Sequence, residues 1–172
     1  MKETVLDKFL RYVQIDTQSQ EDAESYPSTA KQFDLLRLLE QELRDLGLPD
    51  VRIDAHGYVM ATLPGNLPPS DAAYGKVPAI GFVAHVDTSP SASGTNVKPQ
   101  VIRNYQGGDI VLPGDPSIVL RTSENLQLKE NIGKTIVTTD GTTLLGADDK
   151  AGLAIIMTAV QTMMNSPSLL HG

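Results

Sequence analysis

Apolar positions recur along this chain with helical spacing in some stretches and as unbroken runs in others. From Glu3 to Val13, the residues Leu6, Phe9, Leu10 and Val13 fall at i, i+3, i+4 and i+7, which predicts a short helix with one inward face. A longer helix is predicted from about Thr29 to Leu46. Its stripe is Phe33, Leu36, Leu39, Leu43 and Leu46, with Ser28 as N-cap and Gly47 as its stop. Between the two, Asp16 to Ser28 is polar and without period, and it reads as an exposed loop. Val51 to Ile53 and Tyr58 to Leu63 are β-type runs joined by Asp54-Ala55-His56-Gly57, a predicted hairpin, and Pro64 to Tyr74 is loop by composition.

Ala79 to Val86 is almost wholly apolar, the signature of a central strand covered on both faces. Asn96 to Leu120 reads as short extended segments and loops. Thr135 to Thr138 and Thr143 to Leu145 are β-prone and flank Thr139-Asp140-Gly141-Thr142, whose Asp-Gly pair predicts a second hairpin. After Gly146, the residues Leu153, Ile156, Met157, Val160 and Met164 resume helical spacing, giving strand, turn, helix. Pro167 ends that helix, and Leu169-Leu170 reads as the lead-in to a further strand. The fold class expected is α/β, a mixed central sheet with helices on its faces.

Composition narrows the chemistry. The 172 residues suffice for one compact domain rather than two. A net charge of −7, with no cluster of Lys and Arg, argues against nucleic acid. No apolar run is long enough for a membrane span, and MKETVLDKFL carries acids where a signal peptide would not, so the expected location is cytoplasmic. With no cysteine, any metal must be held by His, Asp or Glu. No phosphate-loop or dinucleotide motif occurs, and Ser89, Ser91 and Ser93 lack a base and an oxyanion hole.

Three histidines remain, His56, His85 and His171. His56 lies in a turn, where an imidazole is ordinarily solvated. His85 and Asp87 point to one side of the strand end, an arrangement that suits a metal-bound imidazole oriented by a carboxylate and equally a strand-end histidine beside an ordinary Asp. Asp148 and Asp149 open a helix, where the dipole tolerates negative charge. Either could be the N-cap, and the other a ligand. A cation shared by His85 and Asp148 requires the two groups to lie within about 5 Å.

Three segments carry a resemblance: GFVAHVDTSP (Gly81 to Pro90), NVKPQVI-x-NY-x-GGDI (Asn96 to Ile110) and TTDGTTLLGADDKAG (Thr138 to Gly152). Together they resemble the peptidase T family of tripeptide aminopeptidases, within a superfamily of two-zinc exopeptidases and deacylases. The resemblance implies that His85 ligates one zinc, that Asp87 is the catalytic-site carboxylate orienting it, and that Asp148 bridges both zincs with a cis peptide on its C-terminal side. It implies small peptide substrates, two zincs per complete site and, for the full-length family, a homodimer.

The resemblance also implies a Glu-Glu pair carrying the general base and a ligand, an Asp and a His ligand, and an inserted dimerisation or lid domain, none of which this sequence contains. Residues 1–172 then correspond to the N-terminal part of the catalytic domain, which is expected to be inactive alone. The alternatives are another superfamily member (dipeptidase, carboxypeptidase or amino-acid deacylase) and a non-catalytic truncated fragment.

Overall fold

A computed structural model describes residues 3–172. Met1 and Lys2, which begin the stretch read for a signal sequence, lie outside the described residues. The first helix, α1 (Val5–Val13), starts at a capping box: the Thr4 hydroxyl accepts from the Asp7 amide and the Asp7 carboxylate accepts from the Thr4 amide. Its buried face is Lys8, Phe9, Tyr12 and Val13, so the inward side is turned from the apolar stripe toward Tyr12. Lys8 is tolerated inside because its ammonium reaches Glu3 and Glu42 while its stem packs.

Helix α2 (Gln32–Asp45) buries Leu35, Leu36, Leu39 and Leu43. It begins later than the pattern suggests, because the amides of Gln32, Phe33 and Asp34 bond three residues back in a tighter turn. Lys31, not Ser28, is its N-cap, and the Ser28 hydroxyl accepts from the Gln20 amide and the Gln32 side chain. Gly47, at φ +86°, provides the left-handed stop. The predicted hairpin forms as β1 (Arg52–Ile53) and β2 (Val59–Met60), in the register Arg52↔Met60 and Ile53↔Val59.

Beyond it lie β3 (Gln100–Ile102), β4 (Ile110–Val111), β5 (Val119–Leu120), the short helix α3 (Leu126–Glu130) and β6 (Ile136–Thr138). Strand β3 pairs antiparallel with β6, and β4 with β5. No strand forms at Thr143 to Leu145. The Asp140 carboxylate takes the Thr142 amide and hydroxyl in a local turn, leaving β6 to pair with β3. The last helix, α4 (Ala147–Met164), packs chiefly against α1. Leu153, Ala154 and Met157 join Phe9, Tyr12, Val13 and the α2 leucines in one core.

The run from Ala79 to Val86 does not form a strand, and among the described residues there is no multi-stranded central sheet. Ile80 is 73%, Phe82 74% and Val83 94% exposed. A strand is fixed by backbone hydrogen bonds to its neighbours, and no described segment pairs with this one in that way until residue 88, where Thr88 bridges in parallel to Gln18. The segment 16–28 is correspondingly not all solvated loop, since Thr17 is fully buried.

Candidate metal centre

The exposed ribbon turns inward at Val86, and this places His85 and Asp87 on either side of a buried residue. The His85 Nδ1 lies 3.1 Å from the Asp87 carbonyl oxygen and 3.0 Å from Asp87 Oδ1. Both oxygens only accept, so Nδ1 carries the proton and Nε2 is left as the free position. Nε2 faces the Asp148 Oδ1 at 3.1 Å, across 63 positions of sequence.

Asp148 and Asp149 have different surroundings although they are adjacent. Gly146, at φ +75°, turns the chain, and Asp148 and Asp149 keep non-helical backbone angles before α4 becomes regular. Their peptide bond is cis. Asp149 Oδ1 accepts from the Gly152 amide at 3.1 Å and thereby caps the helix. A Cβ at position 152 would run into that carboxylate, which accounts for the glycine. The Asp148 side chain is 95% exposed, and His85 is its hydrogen-bond partner among the described residues. Of the two carboxylates, Asp149 is the cap and Asp148 the one directed at the imidazole.

The electrostatics follow from this geometry. Partial burial of the His85 ring opposes charge, but the carboxylates of Asp87 and Asp148 outweigh it and hold the pKa above the ordinary histidine value. With Nδ1–H committed, a neutral ring would set the Nε2 electron pair against a carboxylate oxygen at 3.1 Å. Such a pair is stable with a cation between them, either a proton or a metal. The donor set suits zinc: a neutral imidazole nitrogen and a carboxylate, separated by close to the roughly 3.3 Å edge of a tetrahedron with bonds near 2.0–2.1 Å. Among the described residues, no group of three or more His, Asp or Glu side chains is placed to hold a metal.

His56 sits in its exposed turn, with Nδ1 4.0 Å from Asp54, and the His171 ring contacts the Leu169 and Pro64 carbonyls. Two residues that sequence reasoning passed over adjoin the site. Lys150 is 2% exposed, and its ammonium donates to the Ile15 carbonyl at 2.7 Å. Burial lowers its pKa to about 8, against the opposing pull of Asp16. Thr17 donates its hydroxyl to the Val86 carbonyl at 2.6 Å. A cation directly after two acids is a weak signal for the first; nothing in a polar, aperiodic stretch announces the second.

The arrangement matches a known fold. A crystal structure of a tripeptidase from Staphylococcus aureus subsp. aureus Mu50 aligns with 98% of this chain and 33% of its own length, at TM-score 0.58 and 24% identity. The chain thus has the α/β fold of that peptidase. No family model matches the sequence. Curated relatives named peptidase T do: 54% identity over 168 residues in Halothermothrix orenii, 56% over 169 in Desulfitobacterium hafniense strain Y51 and 49% over 172 in Geobacillus thermodenitrificans. The chain is similar to these peptidase T proteins over nearly its whole length, and it spans about 40% of theirs.

Proposed function

We propose that this chain forms the N-terminal part of the catalytic domain of a cytoplasmic, zinc-dependent aminopeptidase that releases the N-terminal residue of tripeptides. The observation that carries the proposal is the His85 Nε2 facing the Asp148 carboxylate at 3.1 Å while Nδ1 is committed to Asp87. In this reading His85 and Asp148 are metal ligands. Asp87 fixes the ring tautomer and raises the basicity of Nε2, so that the nitrogen offers its electron pair rather than a proton. Asp148 is free to offer both oxygens because Asp149 serves the helix end. Zinc bound there would supply Lewis acidity toward the peptide carbonyl and toward water. A general base and further ligands, together with a domain for dimerisation and substrate closure, are assigned to sequence beyond these 172 residues. No helix among the described residues is long and apolar enough to cross a membrane.

The test is a chimera in which this chain replaces the matched stretch of the Halothermothrix orenii relative. It is expected to hydrolyse tripeptides with a free α-amino group and to spare their N-acetylated forms. His85→Ala and Asp148→Asn are each expected to lower turnover by about 100-fold or more. Equal hydrolysis of acetylated substrates would point to a deacylase or carboxypeptidase, and full activity in both variants would remove these residues from the metal. The 172-residue chain alone, assayed with added zinc, is expected to give no turnover.

A further inference from the structure

The two arms of the site reach the same five-residue segment by separate contacts. On the His85 arm, the buried Thr17 hydroxyl donates to the carbonyl of Val86, the residue between His85 and Asp87. The Thr88 amide donates to the Thr17 carbonyl at 3.2 Å, and the Ser19 amide and hydroxyl donate to the Thr88 carbonyl at 2.9 and 3.0 Å. On the Asp148 arm, the buried Lys150 ammonium donates to the Ile15 carbonyl. Where the arms converge, Gly146 closes on Thr88 so tightly that a Cβ would stand 3.0 Å from its Cγ2. The segment itself is held from outside, with the Asp16 carboxylate taking the Lys31 ammonium at 3.0 Å and the Thr95 hydroxyl at 2.8 Å.

We infer that residues 15–19 are a strut that sets the separation of the two metal-binding groups, with Thr17 and Lys150 as its positioning residues. The inference rests on the reading of His85 and Asp148 as ligands. The ligands themselves are poorly fixed: the His85 and Asp148 side chains are 53% and 95% exposed. Their backbones are what the strut holds, through two buried polar groups whose bonds cannot be replaced by water without opening the core. One short segment bonded to both arms makes their spacing depend on a single piece of chain rather than on the ribbon, which is free on its outer side.

The test uses the 172-residue chain and two readouts. The first is the zinc dissociation constant, from titration followed by the His85 ring resonances. The second is the His85 tautomer in the metal-free chain, from two-bond nitrogen–proton spectra at a pH where the ring is neutral. Thr17→Val and Lys150→Met are each expected to weaken zinc binding by about 10- to 100-fold, with Thr17→Ser within about 3-fold of the parent. Thr17→Val is also expected to turn a single Nδ1–H tautomer into a mixture.

A purely structural role would lower the unfolding midpoint and leave the zinc constant and the tautomer of the folded protein unchanged; that result overturns the inference. Ser19→Ala removes one part-buried hydroxyl bond and is expected to weaken zinc binding about 2- to 3-fold. It decides the question if the stronger variants do not fold, and parental affinity there would likewise overturn it. If His85→Ala and Asp148→Asn bind zinc like the parent, the ligand reading fails instead; in that case, and if the two ligands of this chain alone hold no zinc, the tautomer of Thr17→Val decides whether the strut positions the ring.

Discussion

Two apolar stretches of this chain meet opposite fates. Leu35, Leu36, Leu39 and Leu43 on α2 are all at least nine-tenths buried, whereas Ile80, Phe82 and Val83 stand 73% to 94% exposed. Composition does not separate them. The difference lies in the backbone: a helix satisfies its own amides and carbonyls and needs only a surface on which to lay its stripe, while an extended run must find a neighbour for every polar group before it can be buried. The α2 stripe lies on the first hairpin and shares one core with α1 and α4. The ribbon finds no strand among the described residues, and it stays outside until Val86, where Thr17 supplies a bond.

The contrast is broken most directly by truncating one side chain from each region. Leu35→Ala is expected to cost about 2–5 kcal/mol in urea unfolding, because it opens a cavity in the shared core. Phe82→Ala is expected to cost less than about 0.5 kcal/mol and to lower binding of an apolar dye to the folded chain. Equal losses in the two variants would mean that the ribbon is packed in solution.

A smaller effect tests the place where the regions join. Gly146→Ala puts a methyl on a left-handed residue against Thr88, and a loss of about 1–2 kcal/mol is expected, with the His85 ring signals displaced. Undisturbed stability and ring signals would show that this turn can relax.

The smallest effect is on pH. Arg11 chiefly, with Lys8, holds the Glu3 carboxyl below its usual value against partial burial. For Asp16, burial pushes upward, but bonds from the Gln18 amide, the Thr95 hydroxyl and Lys31 outweigh it. Both carboxyls are lowered in the fold, so the unfolded chain binds protons first as pH falls. Their stabilisation is complete above about pH 4.5 and is lost below it, at about 1 kcal/mol or less each. Residues 77–84 hold no titratable side chain. Amide exchange should therefore loosen in α1 and the 15–19 segment below pH 4.5, with the ribbon already fast at neutral pH. Protection of ribbon amides at pH 7 would contradict the contrast.

The same distinction marks what could be read from sequence. The helices α1, α2 and α4 and the β1–β2 hairpin were legible because their signals are local: a period, a cap, a turn dipeptide. The strand assigned to Ala79–Val86 was not, since a run of apolar residues states a preference for burial and leaves its neighbours unnamed. The Asp140-Gly141 turn was legible as a turn, but its onward pairing was decided by β3, some 35 residues earlier. At the site, His85, Asp87 and Asp148 could be picked out by residue type and by their place at the ends of apolar runs. Their spacing could not, because it depends on Thr17 and Lys150, a threonine in an unpatterned loop and a lysine whose burial nothing in its flanks foretells.

Asp148 and Asp149 are the same amino acid side by side, one answering to an imidazole and the other to the amide of Gly152. Their tasks are set by counting from Gly146 and not by any difference between them. Deleting Ala147 would therefore move Asp149 into the place that faces the imidazole and leave Lys150, which cannot accept from an amide, at the helix end, so the length of this turn is under as tight a constraint as its composition.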